Sequence, residues 1–326
     1  MRLYRLIGRT VAAAALVALG MLAGYAPANA AEALRFGKGF PSLFQFTPID
    51  IGVQEGIFKK HGLDIEISAF AGDAKLQQAF AAGAVDIGVG SGPGMAFIAK
   101  GSPILGVAEE AGSPLGVTLC VLASSPIHGI ADLKDRLASI SSIGSQTDWM
   151  VRELARRQGW GPEGVKRVAL GDVPAQLSAL RTHQVDMVPF DITTAYQLSE
   201  TGEIRILLKF GDIVKEYVNH VIFASNDLIA KRPDDVKKFL AAWFETVAIF
   251  KHNKADVVRI SSGVLKISEP VVGKVYDETI AMLSDDGRFD AKGLAVLAQS
   301  FVDMNTLPEK PDMSKLYTES FLPAAK

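Results

Sequence analysis

The chain repeats the outline of one segment about a hundred residues later, and this duplication limits the folds that it can adopt. Residues 71–101 read AGDAKLQQAFAAGAVDIGVGSGPGMAFIAKG, and residues 170–202 read LGDVPAQLSALRTHQVDMVPFDITTAYQLSETG. Each segment runs from a helical pattern into an apolar strand, which opens at Asp86 or Asp186, and then into a second helix that ends at glycine. Two similar lobes are the simplest interpretation.

Short apolar runs alternate with helical patterns along the chain, which is typical of an α/β fold whose mostly parallel sheets are flanked by helices. Apolar and β-branched residues predict strands over residues 34–38, 64–69, 85–89, 104–108 and 117–122. Helices are predicted where a capping residue precedes a periodic pattern. These helix starts are Thr47 (one helix of about three turns, ending at Gly62), Asp73, Ser145 (with Asp148) and Asp172.

The first thirty residues have the pattern of an export signal. Arginines precede an apolar run over residues 11–23 and the small-residue sequence APANA, so we expect cleavage after Ala30. The apolar run is shorter than the roughly 20 residues that a membrane helix needs. Cleavage would change the formal charge from −2 to −5, because residues 1–30 hold three arginines and no acid.

The strand over residues 85–89 runs into Gly-Ser-Gly-Pro-Gly, where few side chains are available. In open α/β sheets, ligands bind beyond the carboxyl ends of the strands, and the following helices direct N–H groups at them. Glycine lets the backbone approach a ligand closely. We therefore predict that residues 90–94 face loops 143–148 and 190–194 of the other lobe, where Asp191 stands in the place of Ser91.

Five stretches, taken in order, carry a resemblance to a known family. They are EGIFKKHGLDIEI, LQQAFAAGAVDIGVGSG, GIADLKDRLASISSIGS, QLSALRTHQVDMVPF and SNDLIAKRPDDVKKFLAAWFETV, and they span nearly the whole chain after residue 30. Their order and spacing resemble the periplasmic substrate-binding proteins of ABC importers for nitrate, sulfonates and taurine. These proteins are related to the binders of thiamine-pyrimidine precursors.

The resemblance implies a two-lobed, type II periplasmic-binding-protein fold. The chain would cross between lobes near Val121 and again at residues 220–223. Lobe I would then comprise residues 31–120 and 222–326, with the carboxyl-terminal helices packed on it, and lobe II residues 121–221. The lobes would close on a solute and deliver it to the permease and ATPase subunits of an importer. We expect a monomer, since a lobe that must move and dock gains little from a fixed partner.

Residues 40–45, 90–94, 143–149 and 190–194 contain no lysine or arginine, so an anion there would be held by amides and hydroxyls. Aromatic residues in these loops offer apolar area that a bare inorganic ion cannot use. We therefore favour a small organic solute, such as a sulfonate or taurine-like anion or zwitterion. The predicted ligand-binding residues are Phe40, Phe44, Gly90, Ser91, Gly92, Ser145, Gln146, Thr147, Trp149, Asp191 and His220.

Within this set, Ser91, Ser145 and Thr147 are expected to donate to the polar head of the solute, and Phe40 and Trp149 to wall its body. Two roles remain open for Asp148 and Asp191. Each either caps a helix or accepts a hydrogen bond from an amine or hydroxyl of the ligand. For the histidine near the second crossing, His220, a hinge role and a ligand contact both remain open.

No catalytic, metal or cofactor site is expected. The related fungal pyrimidine synthases depend on a cysteine-rich motif, which a chain with only Cys120 cannot supply, and no GxSxG, HExxH or P-loop motif is present. The acidic charge after cleavage argues against nucleic-acid binding. Two alternatives stay open. One is a binder of a pyrimidine, a thiamine precursor or an aromatic acid, and the other is a ligand sensor that feeds a signalling receptor.

Overall fold

The computed structural model describes residues 33–324, so the export signal predicted over residues 1–30 lies outside it. The strands are β1 Leu34–Lys38, β2 Ile65–Ala69, β3 Ile87–Ser91, β4 Ile104–Ala111, β5 Val117–Leu122, β6 Leu137–Ile140, β7 Lys166–Ala169, β8 Val188–Asp191, β9 Ile204–Lys209 and β10 His220–Ser225. The α-helices are α1 Pro48–Gln54, α2 Ile57–Lys60, α3 Asp73–Ala81, α4 Met95–Ala99, α5 Gln146–Arg157, α6 Val173–Arg181, α7 Ile192–Glu200, α8 Phe210–Ile213, α9 Asn226–Lys231, α10 Pro233–His252, α11 Lys254–Leu265, α12 Glu269–Thr279 and α13 Ala291–Asp303.

The first sheet has the strand order β2-β1-β3-β10-β4. Strands β2, β1 and β3 run parallel, whereas β10 is antiparallel to both of its neighbours. The five strands predicted from the sequence are confirmed, although β3 is shifted by two residues and β4 is longer than predicted. Strand β4 continues past residue 108 to include Glu109 and Glu110, because both side chains find partners inside the protein.

The second sheet repeats this arrangement. Strand β5 lies between β8 and β9 and is antiparallel to both. Strands β6 and β7 are parallel, and a parallel bridge between Ala138 and Met187 joins β6 to the start of β8. The order β7-β6-β8-β5-β9 therefore matches that of the first sheet, so the duplication predicted from the sequence is confirmed. We call the two sheets with their helices the first and second lobes.

In each lobe, the antiparallel inner strand is supplied by chain that arrives from the other lobe. Strand β5 enters the second sheet directly after residues 112–116, which we call the first connection. Strand β10 enters the first sheet after residues 210–219, the second connection. The chain thus first crosses between the lobes at residues 112–116, earlier than the crossing predicted near Val121. The division at residues 120 and 222 stays a prediction, and strand pairing favours an earlier first boundary.

Helices cover both faces of the first sheet. On β10, the side chains of Ile222 and Ala224 join one buried cluster, while Val221 and Phe223 join another on the opposite face. The long helix α10 packs on the first of these faces, where the ring of Phe239 lies 5.5 Å from that of Phe36. This confirms that the carboxyl-terminal helices pack on the first lobe. Within residues 33–324, no helix has the length and apolar character of a membrane span.

The repeated aspartates at the starts of β3 and β8 have the same role in the two lobes. Asp86 Oδ2 accepts a hydrogen bond from the backbone N–H of Arg35 in β1 at 2.9 Å. Asp186 Oδ2 accepts from the backbone N–H of Leu137 in β6 at 2.8 Å. Asp86 therefore ties the start of β3 to β1, and Asp186 ties the start of β8 to β6.

The helix predicted from Thr47 to Gly62 is interrupted. Helix α1 starts at Pro48 as expected, but Thr47 forms no side-chain cap, and its hydroxyl donates to Phe44 O at 2.7 Å instead. The chain then adopts a left-handed conformation at Gly56, with φ of 71°, and restarts as α2. Glycine takes this conformation at no steric cost, so one predicted helix becomes two short ones.

Glu109 is a buried carboxyl group that connects β4 to the start of α13. Its Oε2 atom accepts a hydrogen bond from Asp290 N at 2.8 Å. Burial raises the pKa of Glu109 to about 7, and the nearby carboxyl groups of Asp290 and Glu110 act in the same direction. The fold therefore favours the neutral form of Glu109. The stability that this preference contributes is complete below about pH 4.5 and is lost as the pH rises through about 7.

We predict that Glu109→Gln becomes progressively more stable than the wild type as the pH rises, because glutamine keeps an acceptor for Asp290 N and cannot ionise. The difference in unfolding free energy between variant and wild type should increase by about 3 kcal/mol between about pH 4 and about pH 8. Urea unfolding of both proteins across this range measures it. A difference that stays constant with pH would contradict the buried, neutral state of Glu109.

Candidate functional site

The glycine loop (residues 90–94) packs against the second connection. A Cβ atom on Gly92 would lie 1.9 Å from Val218 O, and a Cβ atom on Gly90 would lie 2.7 Å from Asp73 Oδ1. Gly92 N donates to Asn219 O at 2.8 Å. The glycines are therefore required by close contacts within the protein, and the amide of Gly92 is already paired rather than free for a ligand.

Asp73 is not the helix cap that its position in the sequence predicts. It is the first residue of α3, and its carboxylate turns to Ser91 at the end of β3. Oδ1 accepts from Ser91 N at 2.9 Å, and Oδ2 accepts from the Ser91 hydroxyl. Burial raises the pKa of Asp73, while both bonds from Ser91 oppose that rise. Donation from Ser91 to a ligand would thus require its hydroxyl to leave Asp73.

A chain of polar side chains, buried except for the half-buried Gln146, runs from the second lobe into the first. The side-chain Nε2 atom of Gln146, which is the first residue of α5, donates to Asn219 Oδ1 in the second connection. Asn219 Nδ2 lies 3.2 Å from His220 Nε2, and His220 Nδ1 lies 3.0 Å from Glu110 Oε2. Nδ1 of His220 thus faces an acceptor, and Nε2 faces a side-chain amide donor. His220 therefore sits at the boundary between the lobes, edge-on to the ring of Phe46 at 4.8 Å.

The start of α5 brings two predicted hydroxyl donors together. Ser145 Oγ accepts from Asp148 N at 3.4 Å, and Thr147 Oγ1 lies 3.0 Å from Ser145 Oγ. Thr147 Oγ1 also accepts from Ser141 N at 3.1 Å. In the predicted capping box, Asp148 would accept from the backbone N–H of Ser145. Its Oδ2 atom instead accepts from the N–H of the preceding residue, Gly144. Both hydroxyls are half-buried at the carboxyl end of the second sheet.

Of the two acidic residues with open roles, Asp191 caps α7, while Asp148 lies in the first turn of α5 behind the cap Ser145 and accepts from Gly144 N. Asp148 is fully buried, and its Oδ1 also accepts from Arg152 Nε at 3.0 Å and Arg167 Nε at 2.8 Å. Asp191 Oδ1 accepts from Thr193 N and Thr194 N, at 3.0 and 3.1 Å, at the start of α7. Burial raises the pKa of Asp191, and these hydrogen bonds oppose the rise.

Two of the three predicted aromatic contacts are buried in the protein. The ring of Phe44 lies 5.1 Å from Phe250 in the core of the first lobe, which corrects its predicted position at the ligand. Trp149 stacks on Tyr217 of the second connection, with centroids 4.7 Å apart and rings 8° from parallel. One face of its ring is therefore covered by the second connection. Phe40 is half-buried, 6.4 Å from Phe46.

Nine buried side-chain polar atoms lack a partner among the described residues, and four of them lie at or after the carboxyl ends of strands in the two lobes. Two belong to the first lobe: Gln45 Nε2, in the turn after β1, and Glu110 Oε1, near the end of β4. Two belong to the second lobe: Trp149 Nε1 in the first turn of α5 and Thr193 Oγ1 in the first turn of α7. Native proteins rarely leave such atoms unpaired, so the boundary between the lobes is the candidate ligand site.

The sequence placed Gln45 in a loop expected to face the ligand, but it did not predict Glu110, Asn219 or Tyr217 as members of this region. Glu109 and Glu110 gave a usable signal, since two acids at the end of an apolar run are expensive to bury unless they are paired. The other two lie in the second connection, where no periodicity marks them. Direct ligand contact by the residues predicted from the sequence stays a prediction.

These features define a two-lobed α/β protein with the type II periplasmic-binding-protein fold and a polar boundary between its lobes. A family model described as NMT1/THI5 like matches residues 43–253. The chain belongs to this family.

Known proteins are similar over most of the chain. A Brucella abortus protein, named only as a candidate binding protein, is 24% identical over 284 residues, covering 84% of this chain and 86% of its own length. The alkanesulfonate-binding protein SsuA from Xanthomonas axonopodis pv. citri, bound to MOPS, superimposes with a TM-score of 0.74 at 17% identity, covering 88% of this chain and 98% of SsuA. The periplasmic nitrate-binding protein NrtA from Synechocystis PCC 6803 gives 0.70 at 14% identity, with 90% and 88% covered. At these identities, the likeness to the solved structures establishes the fold.

We predict that Gly92→Ala destabilises the protein by at least about 3 kcal/mol, because the added methyl group collides with the backbone of Val218. Gly273→Ala is the matched control. Gly273 lies within α12 and has open space at its Cβ position, so alanine should be neutral or stabilise by up to about 1 kcal/mol. Chemical denaturation measures both effects. Equal stability of the two variants would refute the close packing of the loop.

The bond between Gln146 and Asn219 predicts energetic coupling between the lobes. In a double-mutant cycle with Gln146→Ala and Asn219→Ala, we expect a coupling free energy of about 1 kcal/mol or more, since each substitution removes the same hydrogen bond. Denaturation of the wild type, both single variants and the double variant provides the cycle. Strictly additive effects would show that the two side chains do not interact in solution.

Proposed function

We propose that the protein captures a small organic solute, a sulfonate or a taurine-like anion or zwitterion, between its two lobes. Ligand contacts on both lobes favour the closed form, which then delivers the solute to the membrane permease and ATPase of an ABC importer. The protein works in the periplasm, as a monomer, after removal of residues 1–30. This proposal rests on the fold, the family and the unpaired polar atoms at the lobe boundary.

The unpaired atoms carry the proposal. Gln45 Nε2 and Trp149 Nε1 are donors, and the hydroxyl of Thr193 can donate as well. They belong to different lobes, so a ligand that offers acceptor oxygens to them would bridge the lobes. An anionic head held by uncharged donors in a dry site is favourable without a countercharge.

The nearby carboxyl groups do not exclude an anionic head. Asp73 and Asp191 use both of their oxygens for hydrogen bonds from the protein. Burial raises the pKa of both groups, and of Glu110 as well. A zwitterion with an amine would in addition find an acceptor in Glu110 Oε1.

The test is a ligand screen on the full chain, expressed with its own amino-terminal segment, purified, and stripped of bound solute by unfolding and refolding. Melting temperatures are recorded with alkanesulfonates, taurine, nitrate, pyrimidines and aromatic carboxylates. A ligand at a hundredfold excess over its dissociation constant stabilises the folded protein by about 2.7 kcal/mol. We expect a shift with sulfonates or taurine.

Two substitutions on one helix localise the site. Thr193→Val should lower the affinity for the ligand about tenfold, because it removes a hydroxyl at the lobe boundary. Ser199→Ala is the matched control, since Ser199 Oγ is also buried without a partner but lies near the far end of α7. Equal affinities for the two variants would place the site elsewhere. A shift only with pyrimidines or aromatic acids would replace the proposed solute class.

A further inference from the structure

Helix α7 of the second lobe packs against helix α12 of the first. Three residues at intervals of four, Ile192, Tyr196 and Glu200, lie on one face of α7. Ile192 is fully buried in the hydrophobic cluster of the first lobe, and Tyr196 packs against the same cluster. The lobes therefore meet through a pair of helices as well as through the bond between Gln146 and Asn219.

A carboxylate on α12 accepts hydrogen bonds from two side chains of the second lobe. The hydroxyl of Tyr196 donates to Oε1 of Glu278, and the ammonium group of Lys209, at the end of β9, donates to Oε2. Lys209 Nζ also lies 3.5 Å from the Tyr196 hydroxyl. Both oxygens of Glu278 therefore bind the second lobe, so that α7 and β9 are tied to the first lobe at one point.

A second ion pair joins the same two helices one turn away. Lys274, four residues before Glu278 on α12, has its Nζ atom 3.6 Å from a carboxylate oxygen of Glu200 at the end of α7. Nζ of Lys274 lies 5.9 Å from the centre of the Tyr196 ring, and Nζ of Lys209 lies 6.0 Å from it. These distances permit cation–π attraction, so the Tyr196 ring contacts charged groups of both lobes.

The charged contact lies beside both passages between the lobes. Lys209 directly precedes the second connection. Met282, three residues after the end of α12, accepts a hydrogen bond at its carbonyl oxygen from Gly112 N of the first connection, at 3.0 Å. A rotation of the lobes about the two connections moves α7 relative to α12. The contact therefore opposes a change in the angle between the lobes.

Solvent limits the strength of this contact. The side chains of Lys209 and Glu278 are 34% and 31% exposed. An isolated ion pair at such exposure contributes little, whereas a carboxylate that also accepts from a hydroxyl is held more firmly. A contact of this kind shifts the balance between two arrangements of the lobes several-fold and still lets them separate.

We propose that Tyr196, Lys209 and Glu278 form a latch that holds the two lobes together before a ligand binds. The latch populates the closed arrangement of the free protein. Any solute that bridges the lobes then binds more tightly by the same factor, whatever its chemistry. The latch acts on the free protein and does not depend on the proposed function, whereas its effect on affinity rests on that function.

The experiment compares the radius of gyration of ligand-free, refolded full chains by small-angle X-ray scattering at low ionic strength. Lys209→Glu places two carboxylates together, so its radius should exceed that of the wild type. Lys209→Glu combined with Glu278→Lys restores a pair of opposite charges and should return the wild-type radius. Lys254→Glu is the matched control, because Lys254 pairs with Asp277 of the same helix α12 within the first lobe, and its radius should match the wild type.

The same variants connect the latch to binding. For each solute that the ligand screen identifies, Lys209→Glu should weaken binding about five- to tenfold, and the exchanged pair should recover affinity to within about twofold. Calorimetric titration measures both effects. Melting curves verify that the variants fold, and Glu278→Gln, which removes the charge and keeps the shape, provides the comparison if Lys209→Glu is unfolded.

The outcomes separate the latch from the proposed function. A radius that Lys209→Glu leaves unchanged, or raises no more than Lys254→Glu does, overturns the latch. An exchanged pair that stays as expanded as the single variant also overturns it. Expansion without loss of affinity overturns the effect on binding. If the radii change as expected but no solute binds, the latch stands and the proposed function fails.

Discussion

The close contact between Gly92 and the second connection is the constraint on which the arrangement of the lobes depends. Only a residue without a side chain allows the backbone of Val218 to approach this closely. That approach brings Asn219 O to Gly92 N, while Asn219 N donates to Ala111 O at the end of β4. Asn219 is thereby fixed by the glycine loop and by β4 of the first lobe, and its side chain contacts Gln146 of the second. The glycine loop positions a partner for the opposite lobe.

The two halves of the duplication form different polar contacts at corresponding positions. In the first lobe, Asp73 and Ser91 form an acid–hydroxyl pair across the start of α3 and the end of β3. The corresponding residues in the second lobe are Asp172 and Asp191, and two carboxylates cannot form such a pair. Each caps its own helix instead, Asp172 through Ala175 N and Asp191 through Thr193 N and Thr194 N. The lobes therefore share strand order but differ in the polar groups that they turn to the cleft.

The sequence predicted the features that depend on a local pattern. It did not predict those that depend on contacts between residues far apart in the chain. The strands, the duplication and the caps at Ser145 and Asp172 follow from periodicity and capping chemistry within a few residues. Asp73 has the same local pattern as Asp172, yet a serine eighteen positions away takes its carboxylate. Phe44 lies in a loop beside the cleft but turns into the core, because Phe250 and Tyr276 from the carboxyl-terminal helices pack around it. Neither result could be read from neighbouring residues.

The placement of unpaired polar atoms on both lobes bears on how a ligand could control closure. A ligand shifts a conformational equilibrium only by the difference in its affinity for the two states. A solute that contacted Gln45 alone would bind the open and closed forms equally and would not move the lobes. A solute that also reached Trp149 or Thr193 would gain those bonds only when the second lobe is in place. Because the lobes already share the bond between Gln146 and Asn219, the ligand need supply only part of the free energy of closure.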